Sequence, residues 1–115
     1  MAPDDYSVVV YKLLSYLYAC IRSDVAPDID KAREVAKVGD AYFASVAAYL
    51  VAKGYAMGEC VRDMNGTAVS VESLAVTLEG VEYLEENSRM RKVRAFLGKA
   101  FEKALSAAVA ATAAI

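Results

Sequence analysis

The feature that most constrains this chain is a helix with almost no polar side. In the stretch DDYSVVVYKLLSYLYACIRS, Tyr6, Val9, Val10, Leu13, Leu17, Cys20 and Ile21 recur at the i, i+3, i+4, i+7 spacing of one helical face. The opposite face carries Val8, Tyr11, Tyr16 and Tyr18, with only Lys12 and Ser15 between them. A helix apolar nearly all round must be covered on more than one side. The chain has 115 residues, enough for one modest core and too few for two. Part of the covering is therefore expected from a second subunit, as a homodimer through the first and last helices.

Beyond that helix the pattern changes twice. VAPDID breaks it, because Pro27 biases its predecessor away from helical geometry and Asp28 or Asp30 can cap a new start. KAREVAKV reads as a short second helix ended by Gly39. A third follows, capped by Asp40, with Phe43, Val46, Ala47 and Leu50 inward and Gly54 as its stop. The next stretch alternates with period two. Asn65-Gly66 marks a hairpin of type I′ between strands near Tyr55–Val61 and Thr67–Val76. Thr77 then caps a helix with Leu78, Val81 and Leu84 inward and Gly80 allowing close backbone approach. Asn87-Ser88 breaks the chain again. A last helix places Met90, Val93, Leu97, Ala100, Phe101, Ala104 and Ala108 on one stripe, with an alanine-rich end expected to fray. Three helices followed by a hairpin is the order of a winged helix, an α+β fold with the hairpin as its wing.

Several residue groups also recur in a known family. VTLEGVEYLEENSRMRKVRAFLGKA (Val76–Ala100) closely resembles the C-terminal segment of the YjcQ-like proteins of bacteria and prophages. YKLLSYL (Tyr11–Leu17) and VAKGY (Val51–Tyr55) fall where that family has its first helix and its helix-to-wing junction. The resemblance runs to about Lys103, which sets the expected organisation: a winged-helix domain over 1–103 and an alanine-rich extension over 104–115. It implies a small winged helix of about four helices and three strands. It also implies a phage or prophage origin, with a suggested role in phage heads, and it brings no catalytic residues. Leu-Thr-x-x-Gly-x-x-Tyr-Leu follows the wing in several winged-helix regulators, and here Val76 stands for the leucine.

Much chemistry is missing. With no histidine in the chain, Ser-His-Asp and Cys-His nucleophile systems and histidine-bearing zinc sites are excluded. Cys20 sits on an apolar face and Cys60 has no base beside it, and their separation fits no metal or redox spacing. No glycine-rich phosphate cradle is present. The Asp63–Gly66 segment lacks the spaced ligands and closing glutamate of a calcium loop. Glu79, Glu82, Glu85 and Glu86 read as a solvated face paired with Arg89 and Lys92. The expectation is a protein without catalytic, cofactor or metal sites. No run of about 18 apolar residues spans a membrane, and the acidic start lacks the basic region of a secretion signal. A cytoplasmic protein is expected.

The remaining choice is between protein and nucleic acid as partner. A winged helix presents its third helix to the major groove, where Arg, Lys, Asn and Gln read bases and cations hold phosphates. Here the outward face carries Tyr42, Ser45, Ala48, Tyr49 and Ala52, with no cation before Lys53. Tyrosine among small neighbours suits a protein surface, so Tyr42, Ser45 and Tyr49 are the candidate interaction residues. The same two rings could instead pack under the wing or the first helix. Charge favours the opposite view in one place. Residues 1–88 hold 7 Lys/Arg against 14 Asp/Glu, whereas residues 89–115 hold 6 against 1. The basic helix either contacts a polyanion or pairs with the acidic body. The expected function is a non-enzymatic interaction module acting through protein–protein contacts. The alternative is a DNA-binding regulator contacting nucleic acid through Lys53, Arg62, Arg91, Lys92 and Arg94.

Overall fold

The computed structural model describes all residues, Met1–Ile115. Five helices and one two-stranded antiparallel sheet follow in the order α1 (Tyr6–Arg22), α2 (Ile29–Ala36), α3 (Asp40–Ala52), β1 (Ala56–Arg62), β2 (Ala68–Val76), α4 (Leu78–Glu86) and α5 (Ser88–Ala113). The fold is α+β, with one helix more and one strand fewer than the resemblance implies.

Helix α1 is the axis of the core. Val8, Val9, Leu13, Leu14, Tyr16, Leu17 and Cys20 are fully buried, so every side of its middle turns is covered. The cover comes from α2, α3, α4, α5 and β2 of the same chain. The second subunit expected to share that cover is not needed for it, because both parts of the C-terminal helix, α4 and the hairpin close over α1 within the one chain. Only the ends of α1 escape: Tyr6 and Ile21, expected inward from their spacing, are exposed.

Local sequence accounts for most helix limits. The Asp28 carboxylate accepts from Lys31 N–H at 2.9 Å and caps α2, and Thr77 Oγ1 accepts from Gly80 N–H at 3.1 Å and caps α4. Asn87 ends α4 and caps α5 through its side-chain oxygen, which accepts from Arg89 and Met90 N–H. Asp40 is not the cap of α3. Gly39 holds that place, and Asp40 is the first helical residue, paired with Arg33 at 3.2 Å. The axes of α2 and α3 bend by 105° across the three-residue turn Lys37–Gly39.

The hairpin differs from expectation in its turn. Gly66 is the one loop residue with positive φ, 83°, and Asn65 is not left-handed. Gly66 N–H donates to Asp63 O at 3.0 Å and Asp63 N–H to Thr67 O at 2.9 Å, which makes a three-residue loop of type I closed by a bulge rather than a type I′ turn. The Asp63 carboxylate selects it by accepting from the Asn65 and Thr67 N–H groups. The base of the hairpin is anchored by Ala56, Leu74 and Val76, while Met57 beside them, and Val61 and Val69 nearer the tip, are exposed. Two register shifts, at Glu59/Cys60 and Val61/Arg62, interrupt the ladder.

The last helix is broken. Gly98 has φ 65° and ψ −159°, dividing α5 into a part carrying Met90 and Val93 into the core and a part carrying Val109 and Thr112 there. The alanine-rich end expected to fray is therefore helical to Ala113 and docked. The docking runs through one buried polar chain. Tyr16 Oη lies 2.7 Å from Thr112 Oγ1 and accepts from Asp28 N–H at 3.1 Å, while Thr112 Oγ1 donates to Ala108 O at 2.8 Å. Burial, opposed by these hydrogen bonds, raises the Tyr16 pKa, so the phenol stays protonated and donates to Thr112. Tyr16→Phe should lower stability by about 1–3 kcal/mol in urea unfolding, because it leaves the Asp28 N–H without its partner. Tyr18→Phe removes a hydroxyl that makes no hydrogen bond to protein and should change stability by less than about 0.5 kcal/mol.

Candidate interaction surface

The outward face of α3 is built as the spacing requires. Phe43, Ala44, Val46, Ala47 and Leu50 are buried, which turns Ser45 and Tyr49 away from the core and leaves Tyr42 packed at its edge. Ser45 and Tyr49 are exposed and Tyr42 is half-buried. These three are not alone. Tyr6 at the start of α1 stacks on Tyr42, with ring centroids 6.0 Å apart and planes 25° from parallel, and meets Tyr49 edge-on at 5.6 Å. Its hydroxyl donates to Ser45 O at 3.3 Å, and the Tyr42 hydroxyl donates to Asp4 O. Contacts of this kind add roughly 0.5–1.5 kcal/mol per aromatic pair. The two α3 rings thus pack against the start of the first helix, the alternative that spacing left open, while Tyr6 and Tyr49 keep part of their surface exposed.

A groove of about 430 Å³ continues this surface toward α4, lined by Asp5, Tyr6, Ser7, Tyr49, Tyr83 and Arg89. Tyr83 is stacked on Tyr55 at 4.3 Å and 17°. Arg89 is oriented by donating through Nε to Ser7 Oγ at 3.2 Å. Burial first, then the neighbouring Asp4, Asp5 and Tyr6, pushes the Tyr42 phenol above its ordinary range. Burial, then Tyr49 and Tyr55, does the same for Tyr83. Both phenols are thus neutral donors at neutral pH. The chemistry on offer is flat aromatic area with hydroxyl groups, bordered by Arg89 and by Lys53, whose ammonium lies 6.0 Å from the Tyr49 ring centre.

The five cations of the nucleic-acid reading are spread over three elements. Lys53 caps α3, and Arg62 ends β1 with Nη1 donating to Gly66 O at 2.8 Å. Arg91 and Arg94 do share a side, lining a crevice between α1, α4 and α5 together with Arg22. Lys92 lies on the exposed surface of α5. None of the five forms an ion pair. The three pairs present are Lys31–Glu34, Arg33–Asp30 and Arg33–Asp40. The pairing of the α4 carboxylates with Arg89 and Lys92 expected from sequence is absent. Arg89 turns instead to Ser7, and Arg91 Nε to Glu85 O at 3.5 Å.

Tyr6, Tyr83 and Arg89 complete the surface and were not singled out as surface residues by periodicity. Tyr6 fits the inward stripe of α1, and its outward turn follows from where α3 crosses the helix end. Both cysteines are free, and no three His, Cys, Asp or Glu side chains converge as metal ligands. No single helix is long and apolar enough to cross a membrane.

A family model described as YjcQ protein matches residues 11–100. No curated protein sequence and no solved structure matches the chain.

Proposed function

Starting from the fact that the chain belongs to the YjcQ family, we propose that it is a non-enzymatic interaction module of winged-helix type that docks a partner protein on the tyrosine face of α3. The phage or prophage setting implied by the resemblance is the context in which we place it. The observation that carries the reading is the Tyr6–Tyr42–Tyr49 cluster, its rings held together and Tyr6 and Tyr49 exposed, where a groove-reading helix would present cations and amides. Pre-ordered aromatic surface binds protein at low entropy cost. The reading does not require a homodimer, since the cover of α1 that motivated one comes from the chain itself.

A second reading is DNA binding. In its favour, α2 and α3 meet at 105° across a three-residue turn containing Gly39, as in a helix-turn-helix. The unpaired Lys53, Arg62, Arg91, Lys92 and Arg94 could engage phosphates. Titration of the protein with duplex DNA at low salt separates the two. We expect no saturable binding, because the presented face of α3 has a single cation. Binding that weakens steeply as salt rises, and disappears on joint replacement of Arg91, Lys92 and Arg94 by alanine, overturns the protein-docking proposal.

A further inference from the structure

On the side of the molecule formed by α1, α2 and α5 lies a cleft of about 440 Å³, within the roughly 300–1,000 Å³ range of small-molecule sites. Its apolar walls are Val35 of α2 and Leu97, Ala100, Phe101, Ala104 and Ala108 of α5, and the exposed Pro3, Glu34 and Lys37 also line it. The alanines leave a furrow, and the break at Gly98 sets the two parts of α5 along it. Within the second part of α5, from Ala100 to Ala108, the wall runs about 12 Å at 1.5 Å per residue.

The one polar group set deep in this cleft is Lys12, which is only 5% exposed. Its ammonium has three donors. One is accepted by Pro3 O at 3.2 Å, and no carboxylate lies within ion-pair distance. A buried ammonium without a counter-charge is costly, and an anion brought to it recovers much of that cost. The charged groups around it are Lys37 and Glu34 on the cleft and Asp4 on the N-terminal arm, with Glu34 already paired to Lys31. Burial first, and then Lys37, lowers the Lys12 pKa against the opposing pull of Asp4, the direction expected of an unpaired cation.

We propose that this cleft binds a single-chain aliphatic carboxylate, its head group on the Lys12 ammonium and its hydrocarbon tail along the alanine furrow of α5. Charge complementarity selects the head. The tail is selected by the α5 side of the cleft: Leu97, Ala100, Phe101, Ala104 and Ala108 offer no side-chain partner for the amides of a peptide, the polar Glu34 and Lys37 lie on the α2 side with Glu34 already paired to Lys31, and a hydrocarbon chain needs no such partner. The proposal uses a different face from the tyrosine surface and stands independently of it.

Calorimetric titration with sodium decanoate, kept below its micelle concentration, tests it against 1-decanol as the neutral match. The native protein should bind decanoate at one site, about tenfold or more tighter than decanol, as a hydrogen bond to a charged group requires. Lys12→Met keeps the length and apolar stem of the side chain, and it should remove that preference. Ala104→Trp lies at an exposed cleft position and should block both ligands while the protein stays folded. Equal binding of decanoate and decanol by the native protein overturns the proposal, as does no saturable decanoate binding at all. So does a short apolar peptide with a free C-terminal carboxylate that binds tenfold tighter than decanoate.

Discussion

Gly98→Ala should lower the stability of the protein by about 1–3 kcal/mol and release the C-terminal half of α5. The native φ of 65° with ψ of −159° lies in a region open almost only to glycine, and a side chain there costs roughly that amount. The cost is purely a backbone one, since a Cβ at this position would meet nothing within 4 Å. Alanine also prefers continuous helix by about 1 kcal/mol over glycine. The variant therefore gains by straightening α5, which carries Val109 and Thr112 off the core and separates Thr112 from Tyr16. The melting temperature should fall by about 5–15 °C for a domain of this size. Amide exchange at Val109–Thr112 should rise more than at Met90–Val93, which precede the break. Unchanged stability with unchanged protection at Thr112 would show that the break is not required for docking.

Gly80→Ala should be at least as damaging, for a steric rather than a conformational reason. A Cβ on Gly80 would collide with the carbonyl oxygen of Tyr55, and would sit 2.9 Å from both the Tyr55 carbonyl carbon and Val76 Cγ2. The obstruction is backbone and cannot rotate away. That carbonyl is fixed further by accepting Thr77 N–H at 3.1 Å, while Thr77 Oγ1 donates to Gly54 O. Helix α4 must move bodily, with a penalty of about 3 kcal/mol or more, at the upper end for overpacking. The movement also pulls Tyr83 off the Tyr55 ring, so the near-ultraviolet dichroism of the tyrosines should weaken along with stability. Leu78→Ala, two residues earlier, is the informative contrast. Leu78 is 69% exposed, and its removal should stay within about 0.5 kcal/mol. A Gly80→Ala protein as stable as the native one would mean that α4 does not sit this close to the end of α3.

The contrast between Gly80 and Leu78 shows how far periodicity reaches. Thr77 as cap and Gly80 as a point of close approach are properties of a few neighbouring residues, and both are present. Leu78, expected inward with Val81 and Leu84, instead faces solvent because it lies in the first turn, beyond the edge of the sheet and α1. Val81 and Leu84 are only half-buried. The same end effect turns Tyr6 and Ile21 outward from α1. Spacing tells which residues share a side of a helix. It does not tell how far along that side the neighbour extends.

The candidate surface was legible in part for a related reason. Tyr42, Ser45 and Tyr49 follow from the buried positions of α3, which set the outward direction once the inward one is known. Tyr6 and Tyr83 join them from segments 36 residues before Tyr42 and 34 after Tyr49, and no local pattern encodes that meeting. Cations behaved likewise. Arg91 and Arg94 share a side as helical spacing demands, but the company of Arg22 is a tertiary fact.

By itself the amino-acid order determined the number and sequence of the first three helices and the hairpin, the cap at Thr77, the choice of Asp28 or Asp30 for the cap of α2, and the absence of histidine chemistry. Each of these depends on residues a few positions apart, where backbone geometry alone brings the groups together. Tertiary structure decided that α1 is covered by its own chain, that the last helix breaks at Gly98, and that Lys12 is buried without a counter-charge. Those outcomes depend on how separate elements share one core, and the free energy of burial is non-directional. It rewards the covering of α1 without specifying which segment provides it.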